Sequence, residues 1–94
     1  MPNMLVRHKV EDYEKWKPVF DDHQATRKES GGKGGFLFRT ADDPNETIIL
    51  LEWPDLEDAR RFAQSEDLRE TMRRAGVAEQ PDIYFLEEVE RVPE

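Results

Sequence analysis

The sequence contains no cysteine in its 94 residues. A chain without cysteine forms no disulfide, carries no thiolate nucleophile and holds no iron–sulfur cluster or cysteine-ligated zinc. Its chemistry must therefore come from histidine, carboxylate, tyrosine or arginine side chains, or from a bound cofactor. Histidine is also scarce, because His8 and His23 are the only two in the chain.

Long hydrophobic runs and an excess of positive charge are missing too. The longest apolar run, residues 48–51, is too short to cross a bilayer, and the first residues lack the apolar core of a signal peptide. The 14 Lys and Arg against 22 Asp and Glu leave a net charge of −8, whose field repels nucleic-acid phosphates and anionic lipids. We therefore expect a cytoplasmic protein that binds neither nucleic acid nor membranes.

The length allows a single domain over residues 1–94, because so short a chain cannot build a second hydrophobic core. Charged residues make up 38% of the chain and hydrophobic residues only 36%, which is near the composition of disordered proteins. The apolar residues nevertheless recur in periodic blocks, and this periodicity predicts a folded domain.

The first half of the chain predicts a strand, a helix and a strand. Residues 4–10 alternate in the period of two that is typical of a strand. Asp12 is suited to cap a helix whose apolar stripe leads to His23 and Arg27. Pro18 predicts either a separate turn over residues 12–17 or a kink in the helix. The glycine-rich residues 31–35 end the helix, and residues 36–40 predict the second strand.

The second half predicts a strand, two short helices and a last strand. Residues 47–53 form the third strand, joined to the second through a turn at residues 42–46. Asp55 and Ser65 are suited to begin the helices, and Gly76 to end the second one. The last strand starts at residue 83 and continues through residues 89 to 92. The order β-α-β-β-α-β predicts an α+β, ferredoxin-like fold with one antiparallel sheet and the helices on one face.

The strands are too apolar for a sheet with one face in water. Residues 47–53 are apolar on both alternating sides, and Phe36, Leu37 and Phe38 follow one another. Both helical regions already cover one face of the sheet. We therefore predict a homodimer in which two copies pack sheet to sheet.

Three segments resemble a known superfamily. They are HKVEDYEKWK at residues 8–17, LEWPDLEDA at residues 51–59 and SEDLR at residues 65–69. A strand that ends in Trp, a helix with an acidic start and a following S-x-x-L helix are similar to the dimeric α/β-barrel superfamily, especially its antibiotic-biosynthesis-monooxygenase-like branch. The resemblance implies one such domain over residues 1–94, paired as a dimeric α/β barrel. It also implies a choice among cofactor-independent monooxygenases, haem-degrading enzymes, isomerases and proteins without assigned activity.

Haem degradation is the least compatible of these activities with the sequence. The haem-degrading members carry a Trp and a His where this chain has Phe62 and Met72, and an Asn in the first strand near Arg7 or His8. All three residues are missing here. The two histidines and Glu52 also lack the close spacing of metal ligands. We therefore predict neither a metal site nor another cofactor.

The two histidines are the candidate catalytic residues. His8 alternates with Val6 and Val10, so it faces either the helices or a space between two sheets, and a neutral imidazole there can act as a general base. The alternative is a half-buried His bonded to a carboxylate or to the backbone. His23 and Arg27 share one helix face, where they form either the polar mouth of an aromatic pocket or the solvated end of an amphipathic helix.

The predicted pocket walls are aromatic. Tyr13, Trp16 and Trp53 are the candidate wall residues, and Arg27 and Arg39 are the candidates for binding a substrate's oxygen atoms. Arg39 must meet an acid, a ligand or water, and an ion pair with Glu87 or Glu88 of a second subunit is the alternative to a binding role. The glycine-rich residues 31–35 lack the P-loop pattern and precede a strand, so they predict a flexible connector or a lid.

Two functions follow from these residues. The first is a cofactor-independent monooxygenase or isomerase that holds a planar organic substrate in each protomer, with His8 as its acid and base. The second is a non-catalytic dimeric module that binds a metabolite or serves in assembly.

Overall fold

A computed structural model describes residues 1–94. Its elements are β1 (Asn3–Lys9), α1 (Tyr13–Asp22), α2 (Gln24–Glu29), β2 (Gly35–Thr40), β3 (Asp43–Glu52), α3 (Leu56–Ala63), α4 (Glu66–Ala75) and β4 (Asp82–Leu86). The four strands form one sheet in the order β2-β3-β1-β4, and every neighbouring pair is antiparallel. This is the predicted α+β, ferredoxin-like fold. No helix is both long and apolar enough to cross a membrane.

The sheet has an inner face, which packs against the helices, and an outer face, which no other part of the chain covers. Met4, Val6 and His8 of β1 lie on the inner face, in register with buried residues of β3. Alternate positions point to the outer face, where large apolar side chains are exposed. The outer sheet face consists of Leu5, Phe36, Phe38, Ile48, Leu50, Tyr84 and Leu86.

Four predicted helix ends are confirmed. The side chains of Asp12, Asp55 and Ser65 accept hydrogen bonds from backbone N–H groups in the first turns of α1, α3 and α4. These bonds satisfy donors that a helix start would otherwise leave unpaired. Gly76 ends α4 with φ of 81°, a left-handed conformation that favours glycine.

The helix break that Pro18 predicts is wrong in position. Pro18 lies inside α1, and the chain breaks at His23, between α1 and α2. Pro18 is exposed, so the carbonyl group that loses its helical partner can bond to water. His23 instead has φ of −84° and ψ of 0°, and its ring is held by a contact with α4.

Two strand boundaries also differ from the prediction. The predicted turn at residues 42–46 is mostly strand, because β3 already begins at Asp43 and the turn occupies residues 41–42. The last strand ends at Leu86, and residues 87–94 have no regular structure. Leu86 pairs with Asn3, the first residue of β1, so β1 has no further residue to pair with a longer β4.

Gly35 is the position where the sheet tolerates a side chain least. A Cβ atom at Gly35 would lie 1.8 Å from the carbonyl oxygen of Leu50, whereas one at Gly34 would meet nothing within 4 Å. We expect Gly35→Ala to lower the free energy of unfolding by at least about 2 kcal/mol through displacement of β2. Urea unfolding measures this loss. Gly34→Ala, at φ of 85°, is the control and should cost about 1 kcal/mol; equal losses for the two variants would contradict the close approach.

Candidate functional site

Two adjoining spaces lie between the inner sheet face and the helices. The smaller space, which we call the buried cavity because most of its lining residues are buried, has a volume of about 60 Å³, and 11 of its 14 lining residues are hydrophobic. The cleft is open to solvent, has a volume of about 550 Å³ and is bordered by α1, α2, the glycine-rich segment and β2. The wall that both spaces share consists of Phe20, Arg27, Ile49 and Leu51.

His8 lies in the wall of the buried cavity and is only 4% exposed. The structure therefore resolves the open question of its orientation, because the ring faces the helices. Its Nδ1 atom lies 2.9 Å from Oγ1 of Thr47, and the ring meets Trp16 edge-on at 5.7 Å between centroids. The Thr47 hydroxyl also lies 3.3 Å from the carbonyl oxygen of His8, and we assign its proton to that oxygen, so that the hydroxyl accepts from Nδ1–H. This assignment leaves Nε2 as the basic nitrogen.

Burial sets the protonation state of His8. Loss of hydration lowers its pKa below the ordinary value of 6.5, because water no longer stabilises the charged ring. The ring is therefore neutral at pH 7. A neutral imidazole with a lone pair on Nε2 is the form that accepts a proton.

The lowered pKa of His8 makes stability depend on pH. The unfolded chain protonates His8 below pH 6.5 while the folded chain does not, so stability is full above that pH and falls as the pH decreases below it. We expect urea unfolding of the wild type to lose stability between pH 7.5 and pH 5.5 more steeply than His8→Gln, by at most about 1.4 kcal/mol per pH unit. Because His23 and the carboxylates are present in both proteins, the difference between the two pH profiles reports on His8. Parallel pH profiles would contradict a buried neutral ring.

His23 approaches the same cavity from the junction of α1 and α2. Its Nε2 atom lies 2.6 Å from a carboxylate oxygen of Asp67 in α4, and its ring lies 5.9 Å from that of Phe62. The imidazole is 7% exposed, while the Asp67 side chain is largely in solvent. The contact fixes the His23 ring and joins the α1–α2 junction to α4.

Arg27 stands between the cavity and the cleft. Its guanidinium lies 4.0 Å from the centre of the Phe20 ring, and Nη1 donates to the Phe20 carbonyl at 2.9 Å. Partial burial lowers its pKa, and the nearby Asp21 charge opposes this effect. An arginine remains charged in either case, so the guanidinium can bind an anionic oxygen at this position.

The structure brings only part of the predicted site together. His8, His23, Trp16 and Arg27 line the buried cavity, whereas Tyr13, Arg39 and Trp53 line neither the cavity nor the cleft. Trp53 is fully buried 5.3 Å from the Phe62 ring, and its Nε1–H has no hydrogen-bond partner. Trp53 follows the last residue of β3 and packs in the core, and it lines neither the cavity nor the cleft.

Arg39 and Tyr13 form a separate contact near the start of α1. The guanidinium of Arg39 lies 4.4 Å from the centre of the Tyr13 ring. Arg39 pairs with Thr47 and so lies on the helix side of the sheet, away from the outer face. The alternative of an ion pair with Glu87 or Glu88 across a sheet-to-sheet interface does not fit this orientation.

Sequence reasoning missed Thr47 and Asp67, the hydrogen-bond partners of the two histidines. Thr47 is 39 residues from His8, and Asp67 is 44 residues from His23. No local pattern marks such pairs. No group of three His, Asp or Glu side chains is arranged to hold a metal ion.

No protein-family model and no curated protein matches this chain. Solved structures do match it. SnoaB, a cofactor-independent oxygenase from Streptomyces nogalater, superimposes with a TM-score of 0.78 and 18% identity over 99% of this chain and 97% of SnoaB. A crystal structure of an antibiotic biosynthesis monooxygenase matches with a TM-score of 0.74 and 17% identity over 96% and 100% of the two chains. Rv0793 from Mycobacterium tuberculosis matches at 0.68 and 12%, over 99% and 100%.

These matches agree in fold at low sequence identity. The chain has the fold of antibiotic biosynthesis monooxygenase domains, as its sequence resemblance implies. Because one fold carries many chemistries, the activity must be argued from the site itself.

Proposed function

We propose that the protein is a homodimeric, cofactor-independent oxygenase that acts on planar phenolic or enolisable molecules. The observation that carries the proposal is His8, a buried neutral imidazole whose Nδ1 contacts Thr47 and whose ring lines an apolar cavity. SnoaB, an oxygenase without a cofactor, has the same fold.

The first step of the proposed reaction is removal of a proton from the substrate. Nε2 of His8 takes the proton of a phenol O–H, and the resulting anion is electron-rich enough to react with O2 at a ring carbon. The imidazolium returns the proton to the peroxide so formed. Loss of water then leaves a carbonyl group at that carbon. For a naphthol the balance is naphthol plus O2 giving naphthoquinone plus water.

The neighbouring residues have defined roles in this proposal. Arg27 binds the phenolate oxygen, because its guanidinium is charged, half-buried and next to the cavity. Phe20 and Trp16 stack on each other at 4.9 Å and provide an aromatic wall. His23, whose Nε2–H donates to Asp67, presents the rest of its ring to the cavity and helps to position the substrate.

The proposed dimer covers the outer sheet face. This face is apolar from Leu5 and Leu50 at its centre to the edge strand β2, where Phe36 and Phe38 stack at 6.0 Å and are 65% and 50% exposed. At one end of the face Arg7 is paired with both Glu46 and Asp82. An apolar centre with neutralised charges at its edge is typical of a subunit interface. The two proposed sites of such a dimer lie on the helix sides of the sheets, and only Phe36, at the rim of the cleft, belongs to both the site and the interface.

A non-catalytic binding module is the second candidate, and the size of the buried cavity favours it. About 60 Å³ holds roughly two water molecules, so a ligand in the cleft reaches His8 only if the side chains of Phe20 and Arg27 move.

An isomerase shares the deprotonation step but returns the proton to a different atom without using O2.

Oxygen uptake with planar phenols tests the proposal. We expect the protein to consume one O2 per naphthol and to release naphthoquinone, measured with an oxygen electrode and by product mass, with oxygen from labelled O2 in the product. Binding of the phenols without oxygen uptake would favour the non-catalytic module. Rearranged product in the absence of O2 would favour the isomerase.

A further inference from the structure

We propose that the cleft selects substrates that carry an anionic group in addition to the phenol. The anionic group that fits the cleft is a carboxylate on the planar ring system. This inference rests on the proposed function of the same site. It concerns the open cleft rather than the buried cavity, and it names an acidic aromatic compound as the class of substrate.

The charge of the cleft is opposite to that of the whole protein. The chain has a net charge of −8, yet Arg27, Lys28 and Lys33 all line the cleft. The single acidic residue in its wall is Asp21, whose carboxylate oxygens lie 2.6 and 2.7 Å from Nζ of Lys17. The only acidic side chain of the cleft is therefore already paired with a lysine outside it.

The three cations have no acidic partner in the chain. None of the ion pairs of the structure includes Arg27, Lys28 or Lys33. Like charges that share a cleft repel one another, and a bound anion removes that repulsion. An anion bound in the cleft would therefore be attracted by all three cations.

Helix stabilisation explains only part of this arrangement. Arg27 and Lys28 lie in the last turn of α2, where cations interact favourably with the helix dipole. Lys33 lies beyond the helix, in the glycine-rich segment, and its backbone N–H donates to the Glu52 carbonyl at 2.9 Å. Its side chain therefore extends from a segment that is fixed to β3, and it has no helix end to stabilise.

The cleft is also divided into a charged and an apolar part. Lys28 and Lys33 are exposed, whereas Leu37, Ile49 and Leu51 form a wall that continues toward the buried cavity. A matching ligand has a flat apolar body with an anionic substituent at one end. Its ring would lie against the wall, with the phenol near Arg27 and the acid at Lys28 and Lys33.

Calorimetric titration with three ring compounds tests this selection without requiring turnover. Hydroxynaphthoate carries both the phenol and a carboxylate, naphthol lacks the acid, and naphthyl phosphate carries a phosphate in place of the phenol. At low salt we expect hydroxynaphthoate to bind about tenfold more tightly than naphthol, and the ratio to fall as salt is added. Tighter binding of naphthyl phosphate than of hydroxynaphthoate would overturn the carboxylate assignment.

Variants that remove one positive charge from the cleft show where the carboxylate of the ligand binds. We expect Lys33→Gln and Lys28→Gln each to weaken hydroxynaphthoate binding about two- to fivefold and to leave naphthol binding unchanged. Lys15→Gln is the matched control, because Lys15 is exposed on α1, outside the cleft and without an ion pair. Equal losses in the cleft variants and the control would overturn the inference.

The outcomes separate this inference from the proposed function. If naphthol and hydroxynaphthoate bind equally tightly, the anionic selection is wrong and the phenol site stands. If neither compound binds, both are wrong. If hydroxynaphthoate binds selectively but is never oxygenated, the selection stands and the oxygenase does not.

Discussion

We expect replacement of Leu50 by aspartate to convert the proposed dimer to a monomer without unfolding the chain. Leu50 is at the middle of the outer sheet face, between Leu5 of β1 and Phe36 of β2. In a sheet-to-sheet dimer its side chain loses all contact with water. A carboxylate there would be buried without a partner, and we expect the dimer dissociation constant to rise at least about a thousandfold.

Sedimentation equilibrium of the wild type and the variant measures this change. Val89→Asp is the control, because it also replaces an apolar residue with aspartate but lies away from the sheet. Val89 is 88% exposed in the C-terminal segment. The control should remain a dimer. If the wild type is monomeric at micromolar concentration, the proposal that a second copy covers the outer sheet face is wrong.

The second large effect is expected at His8. His8→Gln retains a group that can hydrogen-bond to Thr47 but cannot take up a proton, so turnover of the phenol should fall about 100- to 10,000-fold. The affinity for the phenol should change little, because Gln still fills the wall of the cavity. Oxygen uptake gives the rate, and calorimetry gives the affinity.

Two further variants separate catalysis from packing at this position. Thr47→Val removes the hydroxyl that engages Nδ1, so it should lower turnover less than His8→Gln and alter the pH profile of the reaction. His23→Gln removes the ring that Asp67 holds at the cavity but leaves the base in place, so it should raise KM more than it lowers kcat. Retention of more than a third of wild-type turnover in His8→Gln would assign that residue a structural role.

The arrangement of the elements could be predicted from local patterns. Alternation marks β1, and the side chains of Asp12, Asp55 and Ser65 mark helix starts because each needs only neighbouring backbone groups to act. The apolar character of both faces of β3 likewise follows from the sequence, and the exposed outer face of the structure agrees with it.

The site could be predicted only in part, because it depends on contacts between distant segments. The alternation of β1 places His8 on the same side as Val6, but which side meets the helices is fixed by the register with β3. Trp53 carries no local signal that distinguishes a core residue from a pocket wall. The end of β4 likewise depends on where its neighbour β1 begins, which the residues after Leu86 do not reveal.

Mapping of hydroxynaphthoate binding by NMR tests the central claim most directly, namely that ligands bind between the inner sheet face and the helices. We predict shifts of the His8 ring nitrogens, the Arg27 guanidinium and the Gly34 amide on titration, with Phe36 of the cleft rim affected less than these. Shifts confined to Leu5, Phe38 and Tyr84 would place the ligand on the outer sheet face. That result would contradict both the proposed site and the role of His8.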